Sequence, residues 1–554
     1  MAKPGFKYPR LRVAVLLGMV FLGATALLAR SIDLQVINRS FYQGQGDARH
    51  LRDVGVPAVR GRIFDRNGDP LAISTPVESV WAIPRDLLAE PGQVEVLAAA
   101  LQMDAEPLAQ RLAQRSAQDF VWLRRHVNPD VAVAIEQLDL PGVHLSREYR
   151  RFYPAGEAVS HVLGFTDIDD RGQEGLELAF DEWLTGQSGV KRVLRDRRGR
   201  VIEQVELVKP AQSGRDLTLS IDRRLQYVAY RELKGAVVEH KARSATCVIL
   251  EATTGEILAL VNLPSFNPNS RQRDAGDGVR NRALTDFFEP GSVIKPFAIM
   301  AALESGRFDE KTLLDTAPGT MKIGQYTIRD TSNHGLMDVR SILVESSNVG
   351  MSKLALSLKA EHMHDVLTRF GFGEVTGSGF PGESPGIVPG YDRWREVEQA
   401  TISYGYGLTV TPLQLAQAFA AIADGGRMRP PTFVHGTQSP GVAVIDPTLS
   451  RRMVDLLEGV VVEGTGGQAK VANYRVAGKT GTSRKAGQSG YDERYIGTFA
   501  GIAPASDPKL VGVVVINDPQ LEAYYGGDVA APVFARVMAA ALRLLNVPAD
   551  GVET

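Results

Sequence analysis

The chain has 554 residues, too many for one ordinary domain, and at ~150 residues per domain three to four units are expected. Its 62 basic and 64 acidic side chains leave a formal net charge of −2, which argues against a general nucleic-acid binder; 44% hydrophobic and 23% charged residues exclude a mainly disordered chain. The single cysteine, Cys247, excludes an intrachain disulfide and any multi-cysteine metal site.

Residues 13–29 read VAVLLGMVFLGATALLA, with no charge. Lys3, Lys7, Arg10 and Arg12 precede this stretch, and only Arg30 and Arg39 follow it closely. The basic excess predicts the N-terminus inside and the remainder outside. A membrane anchor fits, and so does a cleavable signal peptide, because Ala24-Thr25-Ala26 resembles a cleavage site.

From Ser31 to about Gly55 the chain reads as a juxtamembrane connection. In RGRIFDRNGDPLAIS, from Arg60 to Ser74, Asn67-Gly68 predicts a hairpin with a type I′ turn. Residues 85–140 read as largely helical, and EGLELAFDEWL, 174–184, has helical periodicity. KRVLRDRRGR, 191–200, carries six basic side chains; Gly199 favours a solvated hairpin tip over a nucleic-acid arm. Near residue 215 the texture changes. A helix is expected over 221–241, two strands in CVILEATTGEILALV (247–261), and three more in 474–482, 495–503 and 509–517. Thr411-Pro412 opens another helix, and a last one covers 529–545. Two strands at the start of this block and three at its end predict one sheet. Short links make its neighbours antiparallel, and the helical region between covers it. The fold class is α+β.

Three motifs carry chemistry. In FEPGSVIKPF, Ser292 and Lys295 are three apart and share a helix face, and Pro290-Gly291 and Pro296 place Ser292 at a helix start. A serine hydroxyl needs a base, and a lysine serves if its pKa falls ~3 units by burial or a second cation. S-x-x-K also occurs at Ser188 and Ser506, and an ordinary helix start with a snorkelling lysine fits the motif alone. In LVESSNVGM, Ser346 and Asn348 fit either a polar cap or a proton-relay hydroxyl beside an amide that holds a substrate peptide. In YRVAGKTGT, Lys479, Thr480, Gly481 and Thr482 end an apolar strand. Gly481 lets a substrate backbone approach, while Lys479 and the threonines suit a carboxylate; a plain strand end competes.

Ordered S-x-x-K, S-x-N, K-T-G, the set resembles the penicillin-binding proteins. RGRIFDRNG at 60, EGLELAFDEWLTGQSG at 174, EPGSVIKP at 289, SYGYGLTVTPLQLAQAF at 403 and YYGGDVAAPVF at 524 resemble the class B, cell-division branch from end to end. The resemblance implies a cytoplasmic tail and transmembrane helix over 1–30 and an elongated pedestal of the dimerisation type over 31–214. A transpeptidase domain with a five-stranded antiparallel sheet covered by helices follows over 215–554. It implies septal peptidoglycan D,D-transpeptidation from a single-pass position in the bacterial inner membrane, with the N-terminus cytoplasmic and the catalytic domain periplasmic. Ser292 would attack the penultimate D-Ala carbonyl of a stem peptide, with Lys295 as base. Ser346 would relay a proton to the leaving amine, and Asn348 would orient the peptide. Lys479, Thr480 and Thr482 would hold the terminal carboxylate, with the N–H groups of Ser292 and Thr482 as oxyanion hole. A neighbouring stem would supply the acceptor amine, and β-lactams would acylate Ser292. The implied partners are a SEDS-type glycosyltransferase and other division proteins; no cofactor, metal or nucleic acid is implied.

An elongation-type class B transpeptidase and a D,D-carboxypeptidase share these motifs, as does a β-lactamase or penicillin sensor. A non-catalytic division scaffold is opposed by the intact Ser292, Lys295, Asn348 and Lys479. Gly382-Glu-Ser384-Pro-Gly386 has the pattern of a hydrolase elbow, but its prolines predict a loop. His362 and His364, two apart on a predicted helix, do not share a face.

Overall fold

The computed structural model describes residues 10–42, 51–195, 201–270, 278–487 and 490–551. The apolar N-terminal stretch forms helix α1 (Arg10–Ile32), which continues through a π-helical turn to Ile37. Among the described residues, Arg10–Ile37 is the one helix long and apolar enough to cross a membrane. The chain divides into two units and passes between them more than once.

The first unit takes in residues 1–59, 76–149 and 186–213. Leu51–Val56, Gly189–Arg195 and Val201–Lys209 form a three-stranded antiparallel sheet in it. The tip expected at Gly199 lies outside the described residues. Residues 85–140 are helical at Gln93–Leu101, Ala105–Gln114 and Pro129–Leu138, but Val121–Val127 is a strand. This departs from the helical expectation. VWLRRHV starts with alternating Val121, Trp122 and Leu123, and the strand pairs with residues 78–82, so Val121 and Leu123 bury against Leu97, Leu101, Leu108 and Leu112.

The second unit takes in residues 60–75, 150–185 and 214–554, so two segments of the expected pedestal pack here. Phe64 pairs with Pro70 across the Asn67-Gly68 hairpin, but the turn is not type I′: Gly68 has φ +88°, while Asn67 is not left-handed. The Asp65 carboxylate caps the loop instead, accepting the N–H groups of Asn67 (2.9 Å) and Asp69 (2.8 Å). Residues 174–184 form two short helices, Gly175–Ala179 and Asp181–Leu184, rather than one. They bring Glu177 onto Arg60 (2.7 Å) and Arg151 (2.6 Å), all three side chains buried.

Helix α2 (Arg223–Glu239) starts on Asp222, whose carboxylate accepts the N–H groups of Arg224 and Leu225. Strands β1 (Ser244–Glu251) and β2 (Ile257–Leu263) follow. After them come helices α3 (Lys295–Glu304), α4 (Val339–Val344), α5 (Asn348–Leu356), α6 (Pro412–Ala423) and α7 (Pro447–Val462). Strands β3 (Ala477–Gly487), β4 (Gly490–Ala503) and β5 (Leu510–Asn517) precede the closing helix α8 (Ala531–Leu544). The sheet order is β2-β1-β5-β4-β3, antiparallel throughout, as expected.

Alternate residues of these strands feed two cores. Val248, Leu250, Val513 and Val515 belong to the core that contains α6, while Cys247, Ile249, Val514 and Ile516 belong to the core of α2 and α8. Burial on both faces is why the strands read as unbroken apolar runs. Thr411 caps α6 in a capping box with Gln414, Pro412 enters its first turn, and every residue of the helix is buried. Strand β3 lies at the edge of the sheet, so one side of its backbone has no strand neighbour.

Candidate active site

The edge of β3 meets the turn that carries Ser292 at two glycines. Gly291 has φ +58°, and a Cβ there would stand 2.9 Å from the Thr482 carbonyl oxygen. A Cβ on Gly481 would stand 2.5 Å from Val293 Cγ2 and 2.7 Å from the Pro290 carbonyl oxygen. All three distances are closer than a real Cβ tolerates, so these glycines let the turn and the strand pack closely. Gly291–Ile294 is a 3₁₀ turn that runs into α3 at Lys295. Ser292 is half-buried in that turn, one turn before Lys295. The expected helix start is therefore a 3₁₀ entry, with the serine beside strand β3.

Lys295 and Lys479 are both fully buried. Lys295 Nζ donates to Asn348 Oδ1 (2.9 Å), Ser346 Oγ (3.1 Å) and the Ser346 carbonyl oxygen. Lys479 Nζ donates to Ser346 Oγ (3.0 Å) and to the Thr480 carbonyl oxygen (3.2 Å). Burial holds the Lys295 amine well below its ordinary range; the neighbouring charge of Lys479 lowers it further, and Asp330 opposes both. Burial alone brings Lys479 down to about 7. The three motifs, far apart in sequence, thus meet through one hydroxyl.

Ser346 sits in the break between α4 and α5, in the left-handed conformation at φ +60°. The break is held by Asp330, which the sequence did not single out. Its carboxylate accepts the Ser347 hydroxyl (2.6 Å) and the N–H groups of Asn348 and Val349 (3.0 Å for the latter). Asn348 Nδ2 donates to the Arg329 carbonyl oxygen (3.1 Å), which leaves Oδ1 to Lys295. Asp330 follows a small hairpin, Thr320–Arg329, and no local pattern marks it.

Thr480 is buried and Thr482 half-buried on β3. Thr482 Oγ1 accepts the N–H of Gly526 (3.0 Å), which brings the YYGGDVAAPVF segment to the strand. Thr480 Oγ1 lies 2.8 Å from Thr465 Oγ1. Glu289, just before the turn, accepts the Gly407 N–H (2.8 Å) and the Tyr491 hydroxyl (3.0 Å), and burial raises its carboxyl. Sequence reasoning missed Glu289 and Thr465, which lie outside the three motifs.

Residues 245–539 match the family described as the penicillin binding protein transpeptidase domain, and residues 55–219 the penicillin-binding protein dimerisation domain. The chain belongs to the class B penicillin-binding protein transpeptidases. It is 43% identical over 98% of its length to the peptidoglycan D,D-transpeptidase FtsI of Escherichia coli K12, covering 93% of that protein. A solved peptidoglycan synthetase from Bifidobacterium adolescentis matches 91% of this chain and 98% of its own, at 29% identity and a TM-score of 0.72. Penicillin binding protein 3 of Mycobacterium tuberculosis, solved with aztreonam, matches 90% of this chain and 98% of its own, at 28% identity and a TM-score of 0.70.

The remaining motif matches lie apart from this cluster of the transpeptidase. Ser506 bonds to Asp550 (2.6 Å). Ser384 is in a loop without helix or strand. On the helix Ala360–Arg369, His362 Nε2 meets the Ala301 carbonyl oxygen (3.0 Å), while the His364 ring packs on Tyr391 and Trp394.

Proposed function

We propose that this protein is a peptidoglycan D,D-transpeptidase that cross-links stem peptides at the division septum through a Ser292 acyl-enzyme. The observation that carries the reading is the Ser346 hydroxyl, held between the buried amines of Lys295 and Lys479.

A buried lysine whose neutral form is favoured is a base at neutral pH. Lys295 takes the Ser292 proton as Oγ attacks the penultimate D-Ala carbonyl. The resulting oxyanion is met by the N–H groups of Ser292 and Thr482, donors worth about 3 kcal/mol each in such sites. Collapse breaks the peptide bond, and Ser346 passes a proton to the departing amine. Lys479, Thr480 and Thr482 hold the terminal carboxylate, Gly481 lets the turn that carries Ser292 pack onto the strand rather than admitting substrate, and Asn348 orients the stem. An amine of a neighbouring stem then takes the acyl group and frees Ser292. A β-lactam follows the first half of this path and leaves a covalent adduct on Ser292.

The apolar helix α1 supports single-pass anchoring in the inner membrane, with residues 1–30 as tail and anchor and the N-terminus cytoplasmic. Residues 31–214 then form the pedestal and 215–554 the periplasmic transpeptidase domain. A SEDS-type glycosyltransferase, FtsW, supplies glycan strands, and other division proteins join it.

Intact mass after benzylpenicillin, with peptide mapping, tests the reading. Wild-type protein is expected to gain a lasting adduct on the peptide holding Ser292, and Ser292→Ala none. An adduct on Ser292→Ala would falsify the assignment. A stem-peptide pair that yields only hydrolysis would replace transpeptidase with carboxypeptidase.

A further inference from the structure

The hydroxyl of Thr480 has a neighbour outside the three motifs. Thr465 Oγ1 lies 2.8 Å away, and either oxygen can be the donor. Thr465 itself is exposed, in the loop after α7. Its backbone is closely packed: a Cβ on Gly464 would stand 2.5 Å from the Val344 carbonyl oxygen, and one on Gly527 2.9 Å from the Thr465 carbonyl oxygen. The loop therefore presents this hydroxyl at a fixed place.

A carboxylate only accepts hydrogen bonds, whereas each threonine hydroxyl has one proton to give and lone pairs to receive. When a terminal carboxylate takes the Thr480 proton, the Thr480 oxygen remains free to accept from Thr465. That second bond orients the Thr480 hydroxyl and polarises its O–H, which strengthens its donation to an anion. A neutral ligand end gains far less from the same arrangement. We infer that Thr465 is a positioning residue for carboxylate recognition, acting through Thr480. The inference rests on the carboxylate role proposed above for Thr480.

The full chain is assayed against two D-alanyl thioesters, one ending in a free carboxylate and the other in its methyl ester. Thr465→Val is expected to lower kcat/KM for the carboxylate about 5- to 10-fold, mainly through KM, with the methyl ester changed by less than about twofold. Thr465→Ser is expected to restore the wild-type preference. Equal losses on both thioesters, no loss on the carboxylate, or no recovery with serine would overturn the inference. Thr465→Ala makes the same comparison if the valine variant does not fold. Thr480→Val separates the two levels. If it leaves the carboxylate preference intact, the reading of Thr480 fails. If it abolishes the preference while Thr465→Val retains it, only the role of Thr465 fails.

Discussion

Lys295 and Lys479 aim their amines at a single oxygen, Ser346 Oγ, from 3.1 and 3.0 Å. Two buried amines this close cannot both carry a proton cheaply, and burial already disfavours each charge.

The sign of the pH dependence follows. In the unfolded chain both lysines stay protonated up to about 10.4. In the fold, Lys479 gives up its proton near 7 and Lys295 well below its ordinary value. Between about pH 7 and 10.4 the unfolded chain therefore binds protons that the fold does not, and stability rises with pH. Each lysine contributes up to about 1.4 kcal/mol per pH unit to that slope. Denaturant unfolding from pH 7 to 9 should show a rise in wild type and a shallower one in Lys479→Met. Identical slopes would mean that Lys479 keeps its proton in the fold.

Asp330 organises the turn that presents Ser346 and Asn348. Asp330→Asn keeps the shape and removes the charge that three donors share, at an expected cost of about 1–3 kcal/mol. Acylation by benzylpenicillin should slow about 10- to 100-fold as the turn loses its position. Asp330 is also the charge that holds the Lys295 pKa up, so the acylation profile of the variant should move to lower pH. An unmoved profile with a slower rate would assign Asp330 a purely structural role.

Arg60 is the third target. Its guanidinium binds Glu177 at 2.7 Å and Asp181 at 2.6 Å, and Arg151 reaches the other Glu177 oxygen at 2.6 Å. Removing one arginine leaves Glu177 buried with half its compensation. Arg60→Met should cost about 3–5 kcal/mol in unfolding free energy. Acylation per folded molecule should be unchanged, since the network is distinct from the lysine pair. A loss under 1 kcal/mol, roughly what a surface pair contributes, would show that water replaces the guanidinium.

Much of this arrangement was legible in the chain. The five strands announced themselves because both faces of the sheet are buried, and Thr411-Pro412 announced α6 through capping chemistry. Ser292, Ser346 and Lys479 each fitted a bland alternative, and their order made the set specific. The turn at Asn67 was misread because Asp65, two residues earlier, supplies the cap that a type I′ turn would not need. The strand at Val121 was missed because pairing with residues 78–82 decides it. Asp330 and Thr465 reach the site from separate loops, and proximity made by tertiary folding leaves no local mark; Glu289 stands only three residues before Ser292, but its partners Gly407 and Tyr491 are distant in sequence.

The place of β3 at the edge of the sheet has one more consequence. A sheet edge binds whatever can complete it, and it does so through main-chain groups that hardly discriminate between side chains. If the donor stem completes this edge, the edge is not shut against a rigid amide without shutting out the stem peptide as well. Escape from such inhibitors then comes from slowing acylation or from reshaping the walls around the strand.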